Sequence, residues 1–213
     1  MVVIYEENPF CSRRIKPGAI PFFFPEGVSE ETLVALLREN EWRGQIIGPH
    51  GSGKSTLLAA LLPVMKEAGR NLVHLELQDG VRQLPLAAED VERMDGHSLL
   101  AIDGYEQLSY WSRRRLKTKS LSLGFGLLII AHAPYDLPEL YRTSGNLAVA
   151  QQIVKELLRE TPVRISETLV EERFHEHNGN LREMLFSLYD VYEWEYRRIL
   201  AEREKHAECG KSE

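Results

Sequence analysis

Apolar residues recur along the chain with two different spacings, and the changes between them mark its elements. After Ser29, a residue suited to cap a helix, Leu33, Leu36 and Leu37 fall on one helical face. A short apolar strand at 45–47 then runs into a glycine-rich turn and a helix-forming segment that continues to about residue 66. Residues 72–77 alternate as a half-buried strand does, and Asp79-Gly80 marks the turn behind them. A weak helical pattern follows at 87–94. Two continuous apolar runs, 99–102 and 127–131, have the pattern of strands covered on both faces. Between them a helix rich in basic residues is predicted over 106–119, and 140–143 reads as a short fifth strand.

Beyond Gly145 the strand signals stop. Segments 146–160, 166–177 and 180–204 all read as helices, broken at Pro162 and at Asn178-Gly179. In the last of these Leu181, Met184, Leu185, Leu188 and Tyr192 repeat at helical spacing, which predicts a buried face. Alternating strands and helices followed by helices alone point to an α/β fold, a five-stranded parallel sheet in three α/β/α layers with a small C-terminal helical lid. The boundaries this gives are a core over 1–143, a lid over 144–206 and a disordered tail over 207–213. The core then includes a leading extended segment, 8–27, with four prolines and four phenylalanines.

Composition narrows the class. With 213 residues, 43% hydrophobic and 27% charged, the chain has enough apolar material for one sizeable core. A net charge of −6 argues against general coating of nucleic acid. No apolar run reaches the ~20 residues that span a bilayer, and Met1–Tyr5 lacks the basic start and length of a secretory leader. Cys11 and Cys209 match no zinc or redox spacing, so a cytoplasmic location is expected.

The candidate chemistry centres on the turn after the first strand. Gly48-Pro49-His50-Gly51-Ser52-Gly53-Lys54-Ser55, with Thr56 opening the helix, fits the spacing G-x-x-x-x-G-K-[ST]. Glycines let the backbone wrap a phosphate so that N–H groups converge on it at a helix N-terminus. Lys54 supplies charge to the β- and γ-phosphates, and the Ser55 hydroxyl is a magnesium ligand. Asp103 closes the run Ser98–Asp103 at the strand end that faces a ligand crevice in parallel sheets, which makes it the second candidate for magnesium. It also fits a plain Asp103-Gly104 turn. Hydrolysis needs a group that orients or deprotonates water, and Glu106, about one helical turn on, is the nearest carboxylate.

With these motifs the chain resembles the AAA+ and related P-loop ATPases, which have an extra strand in the sheet. The resemblance spans roughly residues 25–200, with 72–77 as the extra strand. It implies ATP and Mg2+ as cofactors and ATP hydrolysis as the activity. It makes His132, at the tip of the fourth strand, the sensor of the γ-phosphate. Gly179-Asn-Leu-Arg-Glu183 matches a lid sequence of the family and makes Arg182 the second sensor. Two departures stand out. Many relatives carry a glutamate directly after the metal aspartate, where this chain has Gly104, and 133–139 is too short for the helix bearing an arginine finger, which leaves Arg142 as the closest positional substitute.

Other features leave alternatives open. Arg113, Arg114, Arg115, Lys117 and Lys119 form either a solvated face or a contact for phosphate, nucleic acid or a protein partner. One of Tyr110 and Trp111 is expected in the core, and Phe22 to Phe24 are expected to pack beneath it. His175 and His177, two apart on a helix, point to different faces and make a poor metal pair. The reading is an ATPase whose lid movement acts on a protein partner, with a homo-oligomer possible. Its rivals are a non-catalytic nucleotide switch and a small-molecule kinase.

Overall fold

The computed structural model describes residues 7–209, with side chains through Lys205. Met1–Tyr5, weighed above as a leader, and residues 210–213 of the expected tail lie outside the described residues. Two compact units divide the chain: residues 21–144 form one, and residues 145–209 with the leading segment to Ile20 form the other.

In the first unit, five parallel strands are ordered β2-β3-β4-β1-β5, where β1 is Arg43–Ile47, β2 Asn71–Glu76, β3 Ser98–Asp103, β4 Gly126–Ala131 and β5 Glu139–Arg142. Side chains alternate across a strand, and the core is sorted accordingly. Leu99, Ala101, Leu128 and Ile130 join Leu57, Leu58, Leu61 and Met65 of α2 (Lys54–Glu67) and Leu33, Val34 and Leu37 of α1 (Glu30–Glu39) on one face. Leu100, Ile102, Leu127 and Ile129 join Val91 of α3 (Ala88–Glu92) and Leu116 of α4 (Tyr110–Leu123) on the other. This is the expected three-layer α/β/α arrangement. The apolar runs of β3 and β4 are fully buried because both faces are covered.

Several local expectations change. Ser29 caps α1 as predicted, reciprocally with Thr32, but Leu36 is 38% exposed and Val34 takes its place inside. The strand that lies between β1 and β3 is β4. β2, taken above as the extra strand, sits at the sheet edge, with its outer hydrogen-bonding side unpaired. Residues 106–109 are not the start of a helix: Tyr105–Gln107 form a single 3-10 turn, and Ser109 caps α4 separately. Tyr110 and Trp111 are both exposed, at 59% and 72%, so neither enters the core.

The second unit consists of α5 (Leu147–Leu157), α6 (Glu167–Glu176), α7 (Leu181–Ser187) and α8 (Tyr189–Cys209). The predicted helix over 180–204 is broken into two at Leu188, and α8 continues into the expected tail. Leu181, Met184, Leu185, Leu188 and Tyr192 are all buried, as their spacing requires. The leading segment belongs here instead of with the core. Phe10 is fully buried, with its ring 6.1 Å from that of Tyr192, and the Asn8 amide donates to Tyr189 O and Glu193 Oε1, each at 3.0 Å. Its apolar ring and amide find partners on α8, which local sequence does not reveal. Among the described residues no helix is long and apolar enough to cross a membrane.

Candidate phosphate and proton-transfer site

Parallel strands place all their C-terminal ends on one edge. The register pairs Ile47 with Ala131 and Asp103 with Ile130, so the phosphate-loop sequence, Asp103 and His132 all leave the sheet on that edge. β1 has β4 on one side and β5 on the other, which is where chain connections part and ligands bind in open α/β sheets.

The loop between β1 and α2 is held by its own backbone and by Thr143. Ser52 Oγ lies 2.6 Å from Thr143 Oγ1 and 2.8 Å from Pro49 O, and Thr143 N donates to Ile47 O at 2.8 Å. Gly48 has no room for a side chain, since a Cβ there would fall on Thr143 Oγ1 and O. α2 starts without a side-chain cap and without an acidic residue in its first turn. Among the described residues no acceptor pairs with the amides of His50, Gly51, Ser52, Gly53 or Ser55. A helix N-terminus with unpaired donors and a lysine beside it fits a phosphate chain. Ser55 and Asp103 are both half-buried and chemically suited to a hard cation, and no cluster of three or more acidic, histidine or cysteine ligands competes with them among the described residues.

Lys54 is buried and folded onto its own loop. Its Nζ donates to Gly48 O at 2.8 Å and Pro49 O at 2.7 Å, and it lies 3.1 Å from His132 Nδ1. On the other side of the imidazole, His132 Nε2 lies 3.0 Å from Glu106 Oε1. With Nδ1 accepting from the ammonium, the ring proton belongs on Nε2 and is donated to the carboxylate. Gly48 O, 3.3 Å from Nδ1, shares the same ammonium. His50 stacks on His132, with ring centroids 3.5 Å apart. Burial, then the Lys54 charge, hold the His132 pKa below the ordinary histidine value, against the opposing pull of Glu106. The other carboxylate oxygen, Glu106 Oε2, is buried with no hydrogen-bond partner among the described residues.

The loop that carries His132 is fixed from two directions. From β1, the buried Gln45 amide donates to Tyr135 O at 2.9 Å and Leu137 O at 2.6 Å, and accepts from Tyr135 N at 2.8 Å. From α4, Arg113 lies over the Tyr135 ring at 5.0 Å and donates to its hydroxyl at 3.0 Å. Tyr135 in turn meets Tyr105 edge-on at 5.0 Å, one residue from Glu106. Gln45 and Tyr135 had not been singled out in the sequence. A buried glutamine on a strand is the one signal that pointed to such a role.

Gly104 explains the missing glutamate neighbour. Its φ is +81°, and a Cβ would lie 2.7 Å from Leu77 O, so no side chain fits directly after Asp103. The nearest carboxylate after Asp103 is that of Glu106, in the 3-10 turn. Arg142 is exposed and paired with Glu139 at 2.6 Å. In the second unit Arg182 is exposed on the first turn of α7, behind the Asn180 cap, and has no ion-pair partner among the described residues. His175 approaches Glu171 at 3.8 Å, and His177 ends α6. They do not combine into a metal site.

No family model matches the sequence, and no curated protein matches it either. Solved structures do match. Against a DNA replication initiation factor the TM-score is 0.56 at 15% identity, covering 86% of this chain and 66% of the other. Against a Walker-type ATPase of Pyrococcus abyssi it is 0.57 at 13% identity, covering 95% and 77%. The chain thus spans just under two thirds of the length of the first of these. The chain shares the fold of these two structures, one of them a Walker-type ATPase: a five-stranded parallel α/β sheet with a C-terminal helical segment.

Proposed function

We propose that this chain binds Mg·ATP on the loop Gly48–Thr56 and hydrolyses it, with Glu106 as the group that receives the proton of the attacking water. The observation that carries this reading is the state of the Glu106 carboxylate: Oε1 is held by His132 Nε2, while Oε2 is buried and unpaired. A buried acceptor without a donor costs about 1–3 kcal/mol, and a water at the γ-phosphate would supply that donor. Water gives its proton to Oε2 as its oxygen bonds phosphorus and the bond from the γ-phosphorus to the bridging oxygen breaks. Lys54 must leave the Gly48 and Pro49 carbonyls and His132 to reach the phosphates. Released from Lys54, Nδ1 of His132 must first take up a proton before it can donate to the γ-phosphate. Magnesium, held by Ser55 and Asp103, would neutralise the β and γ oxygens.

The match of Gly179–Glu183 to a lid sequence of the resembled family makes Arg182 the proposed second sensor of the nucleotide. The likeness to a replication factor is one of fold, so nucleic acid, homo-oligomer and cytoplasmic setting remain proposals of the sequence reading. A nucleotide switch without turnover is the second reading, favoured by Gly104, which closes the position where many related ATPases carry their glutamate. Magnesium-dependent ATP turnover, with Lys54→Ala as the blank and Glu106→Gln as the probe, decides between them. Turnover lost in Glu106→Gln with ATP still bound supports hydrolysis. Wild-type turnover no higher than the Lys54→Ala blank, with ATP bound, establishes the switch.

A further inference from the structure

α4 has two unlike sides. On the inner side Leu116 and Ser120 are buried, and Arg113 and Lys117 hold Tyr135 and Asp136 of the loop that carries His132. Lys119 is paired with Glu92 at 2.8 Å. On the outer side no ion pair is formed by Arg114 or Arg115 among the described residues. Trp111 is 72% exposed and packs edge-on against Tyr110 at 5.3 Å. A groove of about 400 Å³ runs along the helix between Trp111, Arg114, Arg115, Thr118, Lys119 and Ser122. The helix carries five cations and no acidic residue. Among the described residues Arg114 reaches only the Tyr110 hydroxyl, at 3.4 Å.

Charge and composition together identify the occupant. Three of the five cations are already committed, which leaves two for a partner. Neutralising two phosphates of a single strand gives a salt slope of only about −1.4, weak for a nucleic-acid site on a chain of net charge −6. Two arginines beside an exposed tryptophan and tyrosine are instead the residue types that dominate protein interfaces. We propose that the outer face of α4 docks an acidic polypeptide segment, with two carboxylates beside an apolar anchor. Docking is felt at the phosphate site, because the same helix holds the His132 loop. This second half rests on the nucleotide reading above.

The test is a selection of a random 12-residue displayed peptide library on the full chain, counter-selected on a Trp111→Ala, Arg114→Glu, Arg115→Glu triple variant. Enriched peptides should combine aspartate or glutamate with a large apolar residue. They should bind the variant about 10-fold more weakly or worse. Equal binding of an ATP analogue by wild type and variant checks that the variant is folded; Trp111→Ala and Arg114→Ala alone serve if it is not. A selected peptide should bind about threefold more tightly when the ATP analogue is present, and the analogue should gain the same factor from the peptide. Arg113→Ala should retain peptide binding and lose that factor. Enrichment of uncharged or basic peptides, or binding that the outer-face variants do not weaken, overturns the surface. Salt-sensitive binding of the oligonucleotide dT20 that the triple variant loses overturns it in favour of nucleic acid. Peptide binding without the reciprocal factor overturns the coupling. If the wild-type chain docks peptide and binds no ATP analogue, the nucleotide reading alone has failed.

Discussion

The tip of β1 and the tips of β3 and β4 lie on one edge of the same sheet but are built by opposite means. At β1 the working parts are mostly backbone, with the Lys54 and Ser55 side chains beside them: a glycine that admits no Cβ, a helix start without a cap, and amides without acceptors among the described residues. At β3 and β4 they are side chains, Asp103, Glu106 and His132, and the backbone there acts mainly to exclude alternatives, as at Gly104. On the proposed function, the difference separates holding a nucleotide from reacting it. Backbone donors serve any phosphate and are indifferent to which side chain sits nearby, whereas proton transfer depends on one carboxylate with one oxygen restrained.

That division can be broken, most severely at the carboxylate. Glu106→Gln is expected to lower ATP turnover by about 100- to 1,000-fold, the usual worth of a positioned base, while affinity for an ATP analogue stays within about twofold of wild type. Equal losses in both would erase the distinction between the tips. Lys54→Ala should act on binding, weakening the same analogue about 100-fold, as expected for loss of a charge-assisted contact. Titration calorimetry measures it, and wild-type affinity would remove Lys54 from the site. Next in size is Gly104→Glu, which restores the glutamate many related ATPases carry. With a Cβ 2.7 Å from Leu77 O and a φ of +81°, it should cost about 2 kcal/mol in urea unfolding and gain no turnover. A faster enzyme would mean that the position is open after all.

The smallest effect is the most specific. His132, followed by NMR, should titrate below the ordinary histidine range, because burial and Lys54 disfavour its cation. Glu106→Gln removes the larger of the two groups pulling the other way, the second being the Gly48 carbonyl, and should lower it further, and Lys54→Ala should raise it. A folded pKa below the unfolded one means that His132 contributes stability present above about pH 6.5. That contribution is lost as pH falls through the depressed folded value. An unshifted His132 would show that the ammonium is not beside it.

The two tips also differ in how far sequence alone exposes them. Gly48 to Ser55 is contiguous, and each residue has its task at a fixed spacing, so the loop is readable before any fold is known. The continuous apolar runs of β3 and β4 are readable too, because burial on both faces leaves no polar position. Lys54 and His132 stand 78 residues apart, and only the order β3-β4-β1 brings them together. Periodicity reports that a face exists and not whether anything covers it. That is why Leu36 and Trp111 lie outside, and why residues 7–20 join helices instead of the sheet. Glu106 was found as the nearest carboxylate, but its turn was misread as helix because a basic, polar stretch carries no mark of where a 3-10 turn ends and α4 begins.

The placement of Asn8 and Phe10 sets an order of events during synthesis. Residues 21–144 are contiguous, so the sheet can close on itself as soon as β5 has emerged. Asn8 bonds to Tyr189, 181 residues later. At about 5–20 residues per second, the leading segment waits roughly 10–40 s for its partner. Over that interval Phe10 lacks Tyr192, the ring it finally meets, while the loop Gly48–Thr56 has already been made. On the proposed function, a ribosome-bound chain would hold nucleotide before its helical unit exists, and α8 is the helix that brings Tyr192 to Phe10.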